Sequence, residues 1–97
     1  MNNILNLYPK PHPQTAGRVI DKEAVLILSD SSEVNVLNPV GSRIFELADG
    51  THTIADIAEV IFLEYDVTAE QAQEDVTTFI KQLEKRQVFI LSEERET

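Results

Sequence analysis

The chain has 97 residues, of which 42% are apolar and 26% charged, the size and composition of a single globular domain. Its formal net charge of -9 argues against binding to phosphate backbones or to an anionic membrane surface. It contains no cysteine, which excludes disulfides, a thiolate nucleophile and cysteine-bound metal. No apolar run approaches the roughly 20 residues that cross a bilayer, and no secretory signal pattern is present, so we expect a cytoplasmic protein.

The first part of the chain predicts an arm followed by three strands. Residues 1–17 carry alternating prolines from Pro9 to Pro13, a spacing that favours extended backbone, and we expect a flexible N-terminal arm there. β-Branched and aliphatic runs of strand length follow at residues 19–20, 25–28 and 34–37. The turn-forming residues between the second and third runs predict a hairpin.

Capping sequences mark three helices in the second part. Asn38 followed by Pro39 is typical of a helix start, and Gly50 predicts where this first helix closes. The second and third helices each begin with a threonine whose third following residue can complete a capping box. These pairs are Thr53 with Asp56 and Thr68 with Gln71.

The sequence of the last residues predicts a short final strand at residues 88–91 and a charged tail at residues 92–97. Together the elements predict an α+β fold of winged helix-turn-helix type, in which a three-stranded antiparallel sheet is followed by three helices. The predicted domain spans residues 18–91, between the arm and the tail.

The sequence shows no arrangement of residues that is typical of an active site. His12 and His52 are far apart in sequence and lack a clustered carboxylate pair, so we interpret both as loop residues. The carboxylates in residues 38–66 fit a solvated helix surface better than an acid–base pair or a metal site. We therefore predict that the protein is not an enzyme and has no catalytic residue, metal or cofactor of its own.

The third strand is the most suggestive feature for function. Residues 33–37 contain no proline or lysine that would protect them at a sheet edge, and an unpaired edge can accept another strand. The third helix carries an apolar stripe wide enough to contact both a core and a ligand, although such a stripe more often serves as core alone. The stripe includes Val76, Phe79, Ile80 and Leu83.

Several short motifs together resemble the PqqD-like family. They are Leu37-Asn38 before the first helix, Asp49-Gly50 after it, Thr-Ile-x-Asp-Ile at the start of the second helix and Asp-Val-x-x-Phe in the third. The resemblance covers residues 34–90. It implies a winged-helix peptide-recognition domain. Such a domain accepts the leader of a ribosomally made precursor peptide as a strand beside its third strand, in a groove walled by its third helix.

The resemblance also implies a binding site and partners. The implied peptide-binding residues are Val34, Asn35, Val36, Leu37, Val76, Phe79, Ile80 and Leu83. Members of the family are not catalytic, and they deliver precursor peptides to modifying enzymes. In pyrroloquinoline quinone biosynthesis, that enzyme is a radical S-adenosylmethionine (radical SAM) enzyme. We therefore expect a leader peptide and a modifying enzyme as partners, and neither nucleic acid nor a membrane.

The chain departs from the family pattern at two places. Members often have a glycine after the last helix, where this chain has Arg86 and Gln87. They often have a tryptophan in the first helix, where this chain has Phe45. These differences bear on the biosynthetic pathway more than on the fold.

A winged-helix DNA-binding regulator is the main alternative, since the third helix could enter a major groove. The charges of that helix argue against it, because acidic residues outnumber basic ones and the basic ones cluster near its C-terminal end. The acidic residues are Glu70, Glu74, Asp75 and Glu84, and the basic ones are Lys81, Lys85 and Arg86.

Overall fold

The computed structural model describes residues 4–13, 16–20, 23–27 and 34–96. Five strands and three helices in these ranges follow a short 3-10 turn at Ile4–Asn6. The strands are β1 (Tyr8–Pro11), β2 (Ala16–Ile20), β3 (Glu23–Ile27), β4 (Val34–Val36) and β5 (Phe89–Ser92). The helices are α1 (Pro39–Leu47), α2 (Ile54–Glu64) and α3 (Ala69–Lys85).

The strands form two small antiparallel sheets. In the first, β2, β3 and β4 lie side by side in chain order. In the second, β1 pairs with β5, so that the first and last strands meet with Tyr8 opposite Ser92. The predicted α+β class with three helices and an antiparallel sheet is confirmed for the described residues. The predicted loop between the second and third strands lies outside them.

The N-terminal segment is the first place where the structure differs from the expectation of a flexible arm. Residues 8–11 are a strand of the second sheet, and Pro9 is buried. The Ile54 N–H donates to the Leu7 carbonyl at 3.0 Å, and the Gly50 N–H donates to the Pro9 carbonyl at 2.9 Å. The prolines do favour extended backbone, but an extended segment can also pair as an edge strand. Residues 4–13 therefore belong to the folded domain.

The threonine caps of the last two helices differ from one another. At α2 the predicted capping box is complete, because the Asp56 N–H donates to Thr53 Oγ1 and the Thr53 N–H donates to Asp56 Oδ2, both at 3.0 Å. At α3 the Gln71 N–H donates to Thr68 Oγ1 at 3.1 Å, but the Gln71 side chain donates to Asp75 Oδ1 at 2.7 Å. The second box is therefore a simple N-cap.

The end of α3 uses a left-handed residue that is not glycine. Gln87 has a φ of 63°, and its N–H donates to the Glu84 carbonyl at 3.0 Å. The next N–H, from Val88, donates to the Leu83 carbonyl at 2.8 Å. These two bonds are the Schellman arrangement that closes a helix, and glycine is the usual residue at its left-handed position. Gln87 thus performs, with backbone strain, the role expected of a glycine.

The core lies among the three helices and β5. Its largest buried apolar side chains are Phe89, Ile44, Ile54, Ile57, Ile61, Ile80, Val76 and Val88. The ring of Phe45 stacks on that of Phe89, with centroids 6.0 Å apart. Each such buried side chain contributes roughly 1.5–3 kcal/mol, so this cluster joins the helices and the last strand into one unit. Within the described ranges, no helix is long and apolar enough to span a membrane.

Candidate functional site

Strand β4 lies at an edge of the first sheet. In the described part of the chain it pairs with β3 alone, in a register that places Val36 opposite Val25. Backbone groups in a strand point alternately to either side, so part of the N–H and carbonyl groups of β4 face away from β3. The sequence Val34-Asn35-Val36 contains no proline, glycine or lysine to block pairing there.

An apolar side chain stands beside this open edge. Val36 is 60% exposed, although it sits opposite Val25, which is half-buried. Exposure of a β-branched apolar residue on a strand with one open edge is the opposite of the protection that folded proteins usually give their edges. The edge therefore offers an added strand both backbone partners and apolar contact.

The junction between β4 and α1 is held by side-chain hydrogen bonds. Asn38 caps α1, its Oδ1 accepting from the Gly41 N–H at 2.7 Å. The buried Ser42 hydroxyl donates to the Leu37 carbonyl at 3.1 Å. Leu37 itself is half-buried against the core. Because the end of β4 is fixed to the first turn of α1, its edge is positioned before any ligand arrives.

Helix α3 brings one aromatic ring to this junction. Phe79 is half-buried, and a methyl group added at Gly41 would come within 3.0 Å of its Cε2 atom and within 3.2 Å of Asn38 Oδ1. The absence of a side chain at Gly41 is therefore what lets the Phe79 ring pack against the start of α1. This contact places Phe79 beside Asn38, two residues after the end of β4.

The remaining residues of the predicted site are divided between backbone and core. Val34 and Asn35 lie in the edge strand, where the structure describes their backbone only. Val76 and Ile80 are 0% exposed and Leu83 is 7% exposed, because all three face the other helices. A buried side chain cannot contact a peptide in this conformation, so the prediction that these three residues contact the peptide does not fit this structure, which places them in the core.

Two exposed polar residues of α3, which the sequence analysis did not assign to the site, flank Phe79. Asp75 lies four residues before it and Gln82 three residues after it, and both are exposed. Residues three and four apart lie on the same face of a helix, so this spacing was the signal that could have revealed them. Because Phe79 is the half-buried member of the stripe, Asp75 and Gln82 are its polar neighbours on the helix surface.

The described residues contain no group of three or more His, Asp or Glu that could hold a metal ion. His52 Nδ1 lies 3.1 Å from the Leu47 carbonyl, in the turn after α1. In the same turn, partial burial raises the pKa of Asp49, but hydrogen bonds from the Thr51 hydroxyl and N–H outweigh it and leave that pKa below its ordinary value. These contacts give His52 and Asp49 structural roles in the turn.

Comparison with known proteins gives one family and two solved structures. A family model for coenzyme PQQ synthesis protein D (PqqD) matches residues 23–88. The chain is similar to TbiB1 in complex with the TbiA(beta) leader peptide, with a TM-score of 0.75 and 26% identity over 82% of this chain and 93% of that one. It is also similar to a lasso peptide synthetase B1 complexed with the leader peptide, with a TM-score of 0.74 and 26% identity over 86% and 98% of the two chains. No curated protein is significantly similar to it in sequence.

Proposed function

The chain belongs to the PqqD family, and from this premise we propose that it is an adaptor that binds the leader of a ribosomally made precursor peptide and presents it to a modifying enzyme. The observation that carries the proposal is the open edge of β4 with the exposed Val36 beside it. Two proteins of similar structure, each seen with a leader peptide, support the same function.

Binding proceeds by strand addition. A segment of the leader lies along β4 and bonds to the outward backbone groups of residues 34–36, which extends the three-stranded sheet to four. Backbone bonds of this kind tolerate many sequences. The described helices and this sheet then act together as a winged helix-turn-helix domain whose wing receives the peptide.

Selectivity comes from side chains along the groove between β4 and α3. Val36, Leu37 and Phe79 offer apolar contact to alternate residues of the added strand. Asp75 and Gln82 add polar contacts on the α3 side. The buried side chains of Val76, Ile80 and Leu83 hold α3 in place beneath the peptide.

The adaptor itself performs no chemistry in this proposal. The modifying enzyme supplies the catalytic residues and any cofactor, as a radical SAM enzyme does in the pyrroloquinoline quinone pathway. The adaptor raises the local concentration of the precursor at that enzyme. We place it in the cytoplasm, where ribosomally made precursors are synthesised.

Calorimetry tests the function directly. The probe is a synthetic leader peptide from the precursor gene nearest to the gene of this chain, and a scrambled peptide of the same composition is its control. We expect saturable binding of the leader alone, with weak dependence on salt. An equal titration with duplex DNA should show no binding, because steep salt dependence belongs to phosphate recognition. Binding of duplex DNA and not of leader would overturn the proposal.

A further inference from the structure

A second exposed apolar surface lies away from the β4 edge. Phe62 is 42% exposed and Leu63 is 72% exposed, and they are neighbours near the end of α2. Large apolar side chains that are exposed together on a small domain often mark an interaction site. Neither residue belongs to the proposed peptide groove, which leaves them without a role in leader binding.

Phe62 forms one wall of a cleft between α2 and α3. The other residues that line the cleft are Ala55, Ala58, Glu59, Ala69 and Gln73. Three alanines leave space between the two helices, and the cleft volume is about 320 Å³. Ligand-sized pockets begin near 300 Å³, so there is room for a large side chain from a partner.

The charge around this cleft has one sign. Residues 54–80 contain seven Asp and Glu and no Lys, Arg or His. Glu59 lines the cleft, and Glu70 and Glu74 line the neighbouring depression that shares Gln73 with it. Arg43 of α1 forms an ion pair with Glu64 of this segment, with 2.8 Å between Arg43 Nη2 and Glu64 Oε2. The apolar cleft therefore has an acidic rim.

These features define the occupant. Both walls are helices whose backbone groups are bonded internally, so an added strand has no partners here and the contacts must come from side chains. An apolar anchor fits between the alanines and beside Phe62, and Lys or Arg next to that anchor complements the rim. A second copy of this chain is a poor occupant, because it would bring the same acidic rim against itself.

We propose that the α2–α3 cleft docks the modifying enzyme through a helical segment that carries a large apolar anchor flanked by Lys or Arg. The identity of this partner rests on the proposed adaptor function. On α3 the cleft uses Ala69 and Gln73, whereas the peptide groove uses Phe79, which lies six residues after Gln73, about 120° around the helix from it, and ten residues, about 15 Å, along the helix from Ala69. Leader and enzyme therefore bind different faces and can be held at the same time.

The test uses synthetic 18-residue amphipathic helices as probes and the full chain labelled with ¹⁵N. One peptide has leucine on one face and lysine on the other, a second has glutamate in place of lysine, and a third has serine in place of leucine. The leucine–lysine peptide should shift the amide signals of Ala55, Phe62, Ala69 and Gln73 and bind about tenfold more tightly than the other two. Equal binding of the serine–lysine peptide, or shifts spread over the whole acidic surface, would overturn the proposal.

Two variants sharpen the result. Phe62→Ser should weaken the leucine–lysine peptide about tenfold, whereas Val36→Ser, at the other exposed apolar site, should leave it unchanged. Glu59→Lys should weaken that peptide and strengthen the leucine–glutamate one. A Phe62→Ser chain that keeps its melting curve and its full affinity for the probe would contradict the docking site. Light scattering that shows a stable dimer of the wild type, and a monomer when Phe62 is replaced, would also contradict the docking site.

Leader binding separates this inference from the adaptor function. Phe62→Ser should bind the leader peptide as the wild type does. If the wild type binds no leader but still takes the leucine–lysine peptide in the cleft, the adaptor function fails and the docking surface stands. If it binds leader normally and no helical probe shifts the cleft residues, the docking surface fails and the adaptor function stands.

Discussion

The two sheets differ in how their outer edges are treated. On β1, Pro9 and Pro11 have no N–H, and the residues between and beside them, Tyr8 and Lys10, pair with β5. The carbonyl of Pro9 is already bonded by the Gly50 N–H. The outer side of β1 therefore offers no donors at its prolines and few free acceptors. On β4, in contrast, none of the three residues is a proline, part of their backbone N–H groups point away from β3, and the Val36 side chain is exposed.

This difference favours β4 as the edge that receives the peptide in the proposed function. Exposed edges invite uncontrolled pairing, so proteins block those that have no use. The chain blocks β1 with prolines and with the turn after α1, and leaves β4 unguarded. β2 is the other outer strand of the first sheet, but β4 alone runs directly into the fixed junction where Asn38, Gly41 and Phe79 meet.

The largest expected effect comes from a carboxylate placed on the buried face of α3. Ile80 is 0% exposed, so Ile80→Glu puts a charge in the core and should cost about 4 kcal/mol or more of unfolding free energy. That is most of the stability of a small domain. Thermal unfolding followed by circular dichroism measures it. A variant with the wild-type melting temperature would mean that Ile80 faces the groove.

The matched control places a carboxylate on the edge itself. Val36 is exposed, so Val36→Asp should leave the free energy of unfolding within about 0.5 kcal/mol of the wild-type value. It should weaken leader binding by about 2 kcal/mol, more than tenfold, because it sets a charge against an apolar anchor of the peptide. Calorimetry with the leader peptide measures this loss. A folded Val36→Asp variant that binds the leader with wild-type affinity would contradict leader binding at the β4 edge.

The outer edge of β1 is covered by the turn that contains Gly50, which has a φ of 87°. A methyl group there would lie 2.5 Å from Glu96 Cγ. Gly50→Ala should therefore lower the unfolding free energy by about 1 kcal/mol through backbone strain, with an added cost for moving Glu96. Leader affinity should not change, since β4 is untouched. Compared with Glu96→Ala alone, which also loses the ion pair with Lys10, the double variant should recover most of the added cost and keep the strain. No loss of stability in Gly50→Ala would refute this role.

A smaller effect of opposite sign is expected where α3 leads into β5. Gln87→Gly should raise the unfolding free energy by about 0.5–1 kcal/mol, because glycine adopts a φ of 63° without strain. Part of the gain is offset, since glycine makes the unfolded chain more flexible and so increases the entropy lost on folding. Gln82→Gly, inside α3, is the control and should destabilise. Denaturant unfolding compares them, and destabilisation by Gln87→Gly would show that contacts of its side chain outweigh the strain.

The smallest effect concerns pH and the turn that closes β1. The pKa of Asp49 is lowered from its ordinary value of 3.8, so its carboxylate stabilises the fold above that pH, and the contribution is lost as pH falls through the lower folded-state pKa. Asp49→Asn should make the acid side of the stability curve shallower below about pH 4. Since the side chain is half-exposed, the change is small. Parallel curves at acid pH would refute it.

The sequence predicted the local features well and the distant ones poorly. Caps at Asn38 and Thr53 were predictable because each is satisfied within four residues. The β1–β5 pair was missed because it joins residues about 80 positions apart, and prolines such as Pro9 fit a loose segment as well as an edge strand.

The same limit applies to the candidate site. The apolar stripe of α3 is one pattern in the sequence, yet its members have different environments, with Ile80 in the core and Phe79 at the surface junction. Periodicity gives the face of a helix but not which end of that face a neighbouring element covers. The position of Phe79 depends on Gly41, because the absence of a side chain at Gly41 leaves room for the Phe79 ring.

Hydrogen exchange with the leader peptide tests the central claim most directly. The amides of residues 34–36 that point away from β3 should exchange quickly in the free chain and become protected when leader binds. The amides of β1 and β2 should keep their rates, because neither strand receives the peptide. Protection that appears on β2 or β1 while residues 34–36 stay unchanged would contradict the account of β4 as the peptide-binding edge.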